Sequence, residues 1–398
     1  MKISILIPDL SCKYGNCLSR AYLFAKILQR RYPVELVGLS LKPEIWPPVA
    51  QDQNMPYKLI DISDVSAGQM VKLGRRFRQL AEAIDGDILY ASKPLLTTLG
   101  VGLWLKRTSQ RPVIADLDDW QMGFRRQRYQ SLALPKKVKE LTQSVGEFYK
   151  TSSYVNNYLG EKLLGYADFV TVSNRFLAKK FNGTIVRHAV DTALFSPDNY
   201  FPPDTLKEKF GIAADRKVVI FCGTPQSHKG IEDLIQAVAL LEKRRDLVLA
   251  LVGNGDSGYG QKVTKKAQKT LGDRFISFGL QPFDLVPEFL AMSDMVVVPQ
   301  RDNFSTKGQV PIKVLEAMAM AKPVISTAVS DIPEILQDVG WVVPPENPPQ
   351  LAATIEDLLD RPEMGQEKAA KAREKCIEHY SWDAVEQVLA NLFQKYES

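Results

Sequence analysis

"KVVIFCGTPQSHKGIEDLIQAVALLEKRRDLVLALVG", residues 217–253, decides the fold. "KVVIFCG" is a short, unbroken apolar run, which reads as a strand buried on both faces. "GIEDLIQAVALLEKR" reads as a helix, and "LVLALVG" is a second strand like the first. Strand, helix and strand in this order form the unit of a parallel sheet covered on both sides. Downstream the alternation continues through "FISFG", "VPEFLAMS", "MVVVPQ", "KPVIST", "IPEILQDVG", "WVVPP" and "PPQLAATIEDLLDR".

The first half of the chain alternates in the same way. "ISILIP" gives way to the turn "DLSCKYGN" and to a helix with Leu18, Ala21, Tyr22, Ala25 and Leu28 on one face. "VELVGLS", "DILYAS", "PVIADL", "DFVTVS" and "GTIVRHAV" read as further strands, and the stretch between "DLDDW" and "YADFV" as partly exposed helix. The fold class is α/β, with two doubly wound domains joined in "ALFSPDNYFPPD", where Pro197, Pro202 and Pro203 cluster. Ligands of open parallel sheets bind beyond the carboxyl ends of the strands. Two such domains facing each other would enclose a cleft, and chemistry is expected there.

Composition narrows the classes. The chain has 398 residues, enough for two cores, and 45% apolar with 24% charged residues is ordinary for a soluble protein. Cys12, Cys17, Cys222 and Cys376 show no C-x-x-C spacing, and His188, His228 and His379 are scattered, so neither a disulfide frame nor a structural metal site is expected. A reducing cytoplasm fits this usage. No apolar run reaches the roughly 18 residues that span a bilayer, and "MKISILIPDL" reads as a first strand rather than a signal peptide. Residues 1–200 hold 28 Lys and Arg against 18 Asp and Glu, a balance of +10, whereas residues 201–398 hold 23 against 28, a balance of −5. The basic half suggests an anionic partner.

"FCGTPQSHKG", residues 221–230, follows a strand and opens a helix. Gly223 permits a tight turn, while Lys229 and the amides near Gly230 suit phosphate. An ordinary turn with a solvated lysine reads equally well. "LVGNGDSGYG" brings Gly253 and Gly255 to the end of the next strand, a place for close backbone approach. In "KGQVPIKVLEAMAMAKPVIST", residues 307–327, one carboxylate, Glu316, interrupts an apolar helix, with Lys313 three residues before it. As a surface ion pair this is worth a few tenths of a kcal/mol, and lysine before glutamate is the poorer order along the helix dipole. With Pro311 at the helix start, the amides around Ile312 and Lys313 would meet phosphate and Glu316 would accept from ribose hydroxyls. "IADLDDWQ" gathers Asp116, Asp118 and Asp119 at a strand end, where carboxylates suit a metal, a base or a sugar.

Taken together, "YADFVTVS", "RHAVDTALFSP", "GTPQSHKGIEDLIQAV", "LVGNGD", "FISFG", "VPEFLAMSDMVVVP" and "PIKVLEAMAMAKPVIST" resemble the retaining glycosyltransferases of family 4, which have the GT-B fold of two Rossmann-like domains. The resemblance implies an acceptor-binding domain over 1–198 and a donor-binding domain over 199–380, with a terminal helix over 381–398 that crosses back onto the first. It implies transfer of a sugar from a UDP-, GDP- or ADP-sugar to an acceptor hydroxyl, with retention and without a metal or other cofactor. Gly223, Thr224, Lys229, Gly230, Gly253, Gly255, Gly279, Pro311, Ile312, Lys313 and Glu316 would bind the donor. Lys229, Glu316, Asp118 and Asp119 would act in catalysis. Gly15, Asn16, Arg20, Lys93, Arg125 and Arg126 would face the acceptor. The chain departs from the family at two positions, with Thr224 in place of an arginine and Gly308 in place of the first glutamate of E-x7-E; Lys313 or Lys307 would take over part of the arginine's charge.

The acceptor class follows from the basic half. Phe124, Tyr129, Leu132 and Leu134 interleave with arginines and lysines, which suits an anionic lipid surface or a solvated face equally. A lipid-linked or free sugar acceptor is expected, at the cytoplasmic face of a membrane, in glycolipid or cell-surface polysaccharide synthesis. No nucleic-acid module is recognisable. A non-catalytic relative that binds a nucleotide sugar or scaffolds a partner transferase is the alternative, with an epimerase or phosphorylase third.

Overall fold

The structure, a computed structural model, describes residues 1–11, 16–255 and 258–397. The chain divides into two compact units, Met1–Ala189 together with Val385–Ser398, and Val190–Ala384.

In the first unit, β1 (Ile3–Ile7), β2 (Val34–Ser40), β3 (Tyr57–Asp61), β4 (Ile88–Ser92), β5 (Val113–Leu117), β6 (Phe169–Val172) and β7 (Thr184–Ile185) form one parallel sheet in the order β3-β2-β1-β4-β5-β6-β7. The chain builds outward from β1 through β3, then returns to place β4 on the other side of β1. Side chains of β1, β2, β4 and β5 are buried throughout, as an unbroken apolar run requires when helices cover both faces. α1 (Asn16–Leu28) buries Ala21, Ala25 and Leu28 against this sheet's core, in keeping with its apolar face. Between β5 and β6 the chain forms α2 (Gln121–Gln130), α3 (Leu134–Gly146) and α4 (Tyr154–Leu163). Of "GTIVRHAV" only β7 is strand. β7 lies at the sheet edge and pairs on one side alone, so the chain leaves the ladder after Val186, whose amide still reaches Val172 O at 2.8 Å.

The terminal stretch belongs to this unit as well. Within the helix Trp382–Phe393, Leu389 and Phe393 are fully buried. Phe393 stacks on Tyr90 of β4 with ring centroids 6.3 Å apart, and Glu386 bridges Arg30 and Arg31.

In the second unit, β8 (Lys217–Cys222), β9 (Leu247–Val252), β10 (Phe275–Gly279), β11 (Met295–Val298), β12 (Val324–Thr327) and β13 (Trp341–Val343) form a parallel sheet ordered β10-β9-β8-β11-β12-β13. The topology repeats that of the first unit, with the return placed between β8 and β11. Alternation along β8 divides the core between the two faces. Val218, Ile220 and Cys222 pack with Val314, Leu315 and Met318 of α6 (Ile312–Ala319), while Val219 and Phe221 pack with Ile231, Leu234 and Val238 of α5 (Ile231–Leu240). The carboxyl ends of β8 and β11 therefore meet two helix starts at the place where strand order reverses.

Candidate active site

At the carboxyl ends of β8, β9 and β10 stand Gly223, Gly253 and Gly279, all with positive φ. Their backbones are laced together: Gly223 N donates to Val252 O at 2.8 Å and Gly253 N to Gly279 O at 2.7 Å. A Cβ on Gly253 would lie 2.9 Å from the carbonyl carbon of Gly223, so no larger residue fits. Gly230 is constrained similarly, since its Cβ would lie 1.8 Å from Pro299 O. Gly255 lies next in the loop, beside Leu280.

Two lysines converge over this platform. A Cβ placed on Gly223 would lie 3.9 Å from Lys229 Nζ and 3.7 Å from Lys313 Cε. Lys229 ends a short turn, Ser227–Lys229, and donates to Thr224 O at 2.8 Å. Lys313 stands in the first turn of α6 and donates to Glu316 Oε2 at 3.1 Å. Glu316 is 2% exposed, so the polar interruption in the apolar run does not reach solvent through a seam; it faces Lys313. Pro311 caps α6 with extended backbone, and the first amides after it have no acceptor within the helix. Ile312 packs on the apolar core behind them.

The surroundings fix this arrangement. Arg301, just past β11, makes a two-pronged pair with Asp233 of α5 at 2.7 and 2.8 Å, and its amide donates to His228 O at 2.9 Å. This clamp holds the turn that carries Lys229. Burial, with Lys229 adding to it, pushes the His228 imidazole down to about 4, so it is neutral beside the lysine. Burial drives the Cys222 thiol up to about 12, leaving an inert thiol under the site. Neither Arg301 nor Asp233 stands out in the sequence, because the pair closes across residues far apart in the chain.

The first unit collects a second polar cluster at the ends of β4 and β5. Arg20 is buried on α1 and grips Asp116 with Nε at 3.0 Å and Nη2 at 3.1 Å, while Nη2 also reaches Val186 O. Burial opposes the Arg20 charge and Asp116 more than offsets it, holding the guanidinium above its usual range. Lys93, with φ 69°, sits at the end of β4 and pairs with Asp118 at 3.3 Å, both buried. The amide of Asp119 donates to Asp118 Oδ1 at 2.9 Å. Asp116 and Asp118 thus each face a cation, and among the described residues no three His, Cys, Asp or Glu side chains form a metal-holding group. His188 joins this cluster, pushed down to about 3 by burial and then by Arg20. His188 lies in the stretch "RHAVDTALFSP" that carries the resemblance, three residues past β7, but spacing alone does not assign it to this cluster.

The remaining candidates separate. Arg126 lies over the Trp120 ring at 5.3 Å, whereas Arg125 lines a cavity among α2, α3 and α4, with none of the cluster residues. Gly15 lies outside the described residues, as does the side chain of Asn16.

Comparisons with known proteins agree with this architecture. Residues 216–361 match the family described as Glycosyl transferases group 1. Alpha-D-kanosaminyltransferase of Streptomyces kanamyceticus is 29% identical over 212 residues, 51% of this chain and 53% of that protein. N-acetyl-alpha-D-glucosaminyl L-malate synthase of Bacillus anthracis is 31% identical over 186 residues, 46% of each. The chain thus spans about half the length of the curated relatives it matches. Among solved structures, HepE of Anabaena in complex with UDP superposes with a TM-score of 0.75 over 99% of this chain and 100% of that one, at 18% identity. WaaG, a glycosyltransferase involved in lipopolysaccharide biosynthesis, gives 0.64 over 98% of both chains at 16% identity. Residues 216–361 are thus similar to glycosyl transferases group 1, and the chain's two parallel α/β sheets are those of the GT-B fold.

Proposed function

We propose that the protein transfers a sugar from a nucleoside diphosphate donor to an acceptor hydroxyl with retention of configuration. The observation that carries this reading is the convergence of Lys229 and Lys313 over Gly223, with buried Glu316 one turn behind. In the reaction the bond between the sugar's anomeric carbon and the diphosphate breaks as the acceptor oxygen bonds to the same face. The leaving phosphate takes the acceptor's proton, so no separate base is needed. Negative charge grows on the diphosphate, and two ammonium groups with the first amides of α6 stabilise it. Glu316, whose carboxylate oxygens only accept hydrogen bonds, suits ribose hydroxyls. HepE has been crystallised with UDP and with UDP-glucose, which makes UDP-sugars the first donors to try. The cluster of Arg20, Lys93, Asp118, Asp119 and His188 serves the acceptor side.

An acceptor at a membrane suits the surface of α3. Leu134, Val138, Leu141 and Val145 recur at helical spacing and are 44–73% exposed, so this helix turns an apolar stripe outward. Lys136, Lys137 and Lys139 flank it, with exposed Arg126 and Arg128 on the helix before. Apolar stripe and basic flank together fit the interface of an anionic bilayer. Among the described residues no helix is long and apolar enough to cross a membrane, so docking rather than spanning is the mode proposed.

A non-catalytic relative is the second reading, and Thr224 favours it. Where the family has an arginine side chain, this site offers a carbonyl that takes up Lys229. Incubating the purified protein with a panel of nucleotide sugars, with and without acceptor, decides between them. Release of free nucleotide supports the enzyme; tight binding with no release supports the binder.

A further inference from the structure

α2, α3 and α4 line an open pocket of about 200 Å³, with Arg125, Arg128, Tyr129, Glu140, Lys150 and Tyr154 among its walls. That is room for several water molecules, each of which occupies roughly 30 Å³ in the liquid. The carboxylates in its wall are engaged: Glu140 accepts from Arg128 Nε at 2.8 Å, and Glu147 from Lys150 Nζ at 2.7 Å. Arg125 has no such partner among the described residues. Its Nε is buried without a hydrogen bond, and so is the hydroxyl oxygen of Tyr129.

These two orphans sit four residues apart on α2, on one face of the helix. A guanidinium only donates. Burial, reinforced by Glu140, holds the Tyr129 hydroxyl protonated, so it too has a proton to give. Two unmet donors in one cavity call for an occupant with acceptor oxygens, because a buried donor left unpaired is costly. The occupant should also carry negative charge. Burial, and then the neighbouring Arg128, work against the charge on Arg125, and a neutral guest would leave that unrelieved. A planar carboxylate satisfies one guanidinium edge; a phosphate has oxygens left over for the tyrosine and for a second cation.

We propose that this cavity is a binding site for a single phosphate group, free or carried on a lipid headgroup, held by Arg125 Nε and the Tyr129 hydroxyl with Arg128 and Lys150 beside them. Tyr154, whose ring centroid lies 5.1 Å from that of Tyr129, keeps the hydroxyl in place. The site shares no residue with the donor platform at Gly223 and does not depend on the transferase reading.

The test titrates the full chain with inorganic phosphate at low ionic strength by calorimetry, and sediments it with phosphatidylcholine vesicles that contain or lack phosphatidic acid. Wild type is compared with Arg125→Gln and Tyr129→Phe. Loss of one charge-assisted hydrogen bond should weaken the Arg125-dependent binding by roughly tenfold or more, with a smaller loss for Tyr129→Phe. Phosphate held at Lys229 and Lys313 would be indifferent to both changes and is thereby told apart. A response to phosphate identifies a soluble ligand; a response confined to phosphatidic acid identifies a lipid; either supports the site. If Arg125→Gln matches wild type in both assays, the proposal is wrong. Should that variant fold poorly, Tyr129→Phe, which keeps the ring on Tyr154, decides alone, and unchanged binding overturns the site.

Discussion

Lys313 Nζ lies 3.1 Å from Glu316 Oε2, one turn apart on α6, and the glutamate is all but sealed from solvent while the lysine is not. Stability alone explains this pair poorly, since burying a carboxylate costs more than a half-exposed ammonium returns. An asymmetric pair of this kind is ready to exchange partners when a diphosphate and a ribose arrive. Glu316→Gln should therefore weaken nucleotide binding by about tenfold, the scale of one charged hydrogen bond. Melting temperature should stay within a few degrees, as Lys313 can turn to water. Calorimetry beside thermal melting checks this; lowered melting with unaltered nucleotide affinity would assign the glutamate to the fold.

Lys229 should matter to rate more than to folding. Its removal as Lys229→Ala takes one cation from the leaving diphosphate, and losses of about 10²–10³ in turnover are the scale for such groups. Steady-state release of nucleotide reads it. Rates near wild type would exclude Lys229 from the reaction.

The platform glycines give a stability test with an internal control. Gly253→Ala meets both a positive φ of 93° and the Gly223 backbone at 2.9 Å, and should cost about 2–3 kcal/mol. Gly74→Ala, in the helix Met70–Ala83 with nothing within 4 Å of its added methyl, should instead stabilise by about 0.5–1 kcal/mol. Denaturant unfolding compares the two; equal effects would contradict the close approach.

The imidazole of His188, pushed down to about 3 from an ordinary 6.5, sets a pH dependence. A depressed pKa means that the unfolded chain binds the proton more readily, so stability is full above about 6.5 and declines as pH falls toward 3. The slope is at most about 1.4 kcal/mol per pH unit, and less here because the ring keeps some contact with solvent. His188→Gln should flatten the curve between pH 6.5 and 4, leaving the portion due to His228, which is pushed down to about 4. An unchanged slope would show that His188 is charged in the native protein.

For α3, Val138→Asp with Leu141→Asp should abolish sedimentation with anionic vesicles while leaving nucleotide binding intact. The two residues are 56% and 44% exposed, so folding should not suffer. Persistent vesicle binding would remove the apolar stripe from the interface.

The alternation of strand and helix in both halves was legible because parallel strands under two helical layers cannot hide their apolar composition. Glu316 was legible for a related reason: a carboxylate within a buried run has to be answered by something. Lys313 answers it, at a spacing the sequence displays. Arg20 was marked as a candidate, yet its partner Asp116 comes from β5, a pairing only the fold can make. The same holds for Arg301 with Asp233. The stretch that holds α3 reads in the sequence as partly exposed helix, but which of its faces turns outward, with Leu134, Val138, Leu141 and Val145, is visible only in the fold. "GTIVRHAV" misled because β-branched residues at a sheet edge look like those inside one.

Phe393 and Leu389 close the core around Tyr90, although most of that core is laid down by the first 189 residues. During translation the early part of the chain must therefore wait, with the Tyr90 side of its sheet unsealed, until the ribosome has passed residue 393. The intervening half, whose own sheet and core lie within residues 190–384, has no such delay. Order of synthesis and order of completion are then reversed, and a nascent chain stalled before the last helix should be the species that chaperones hold.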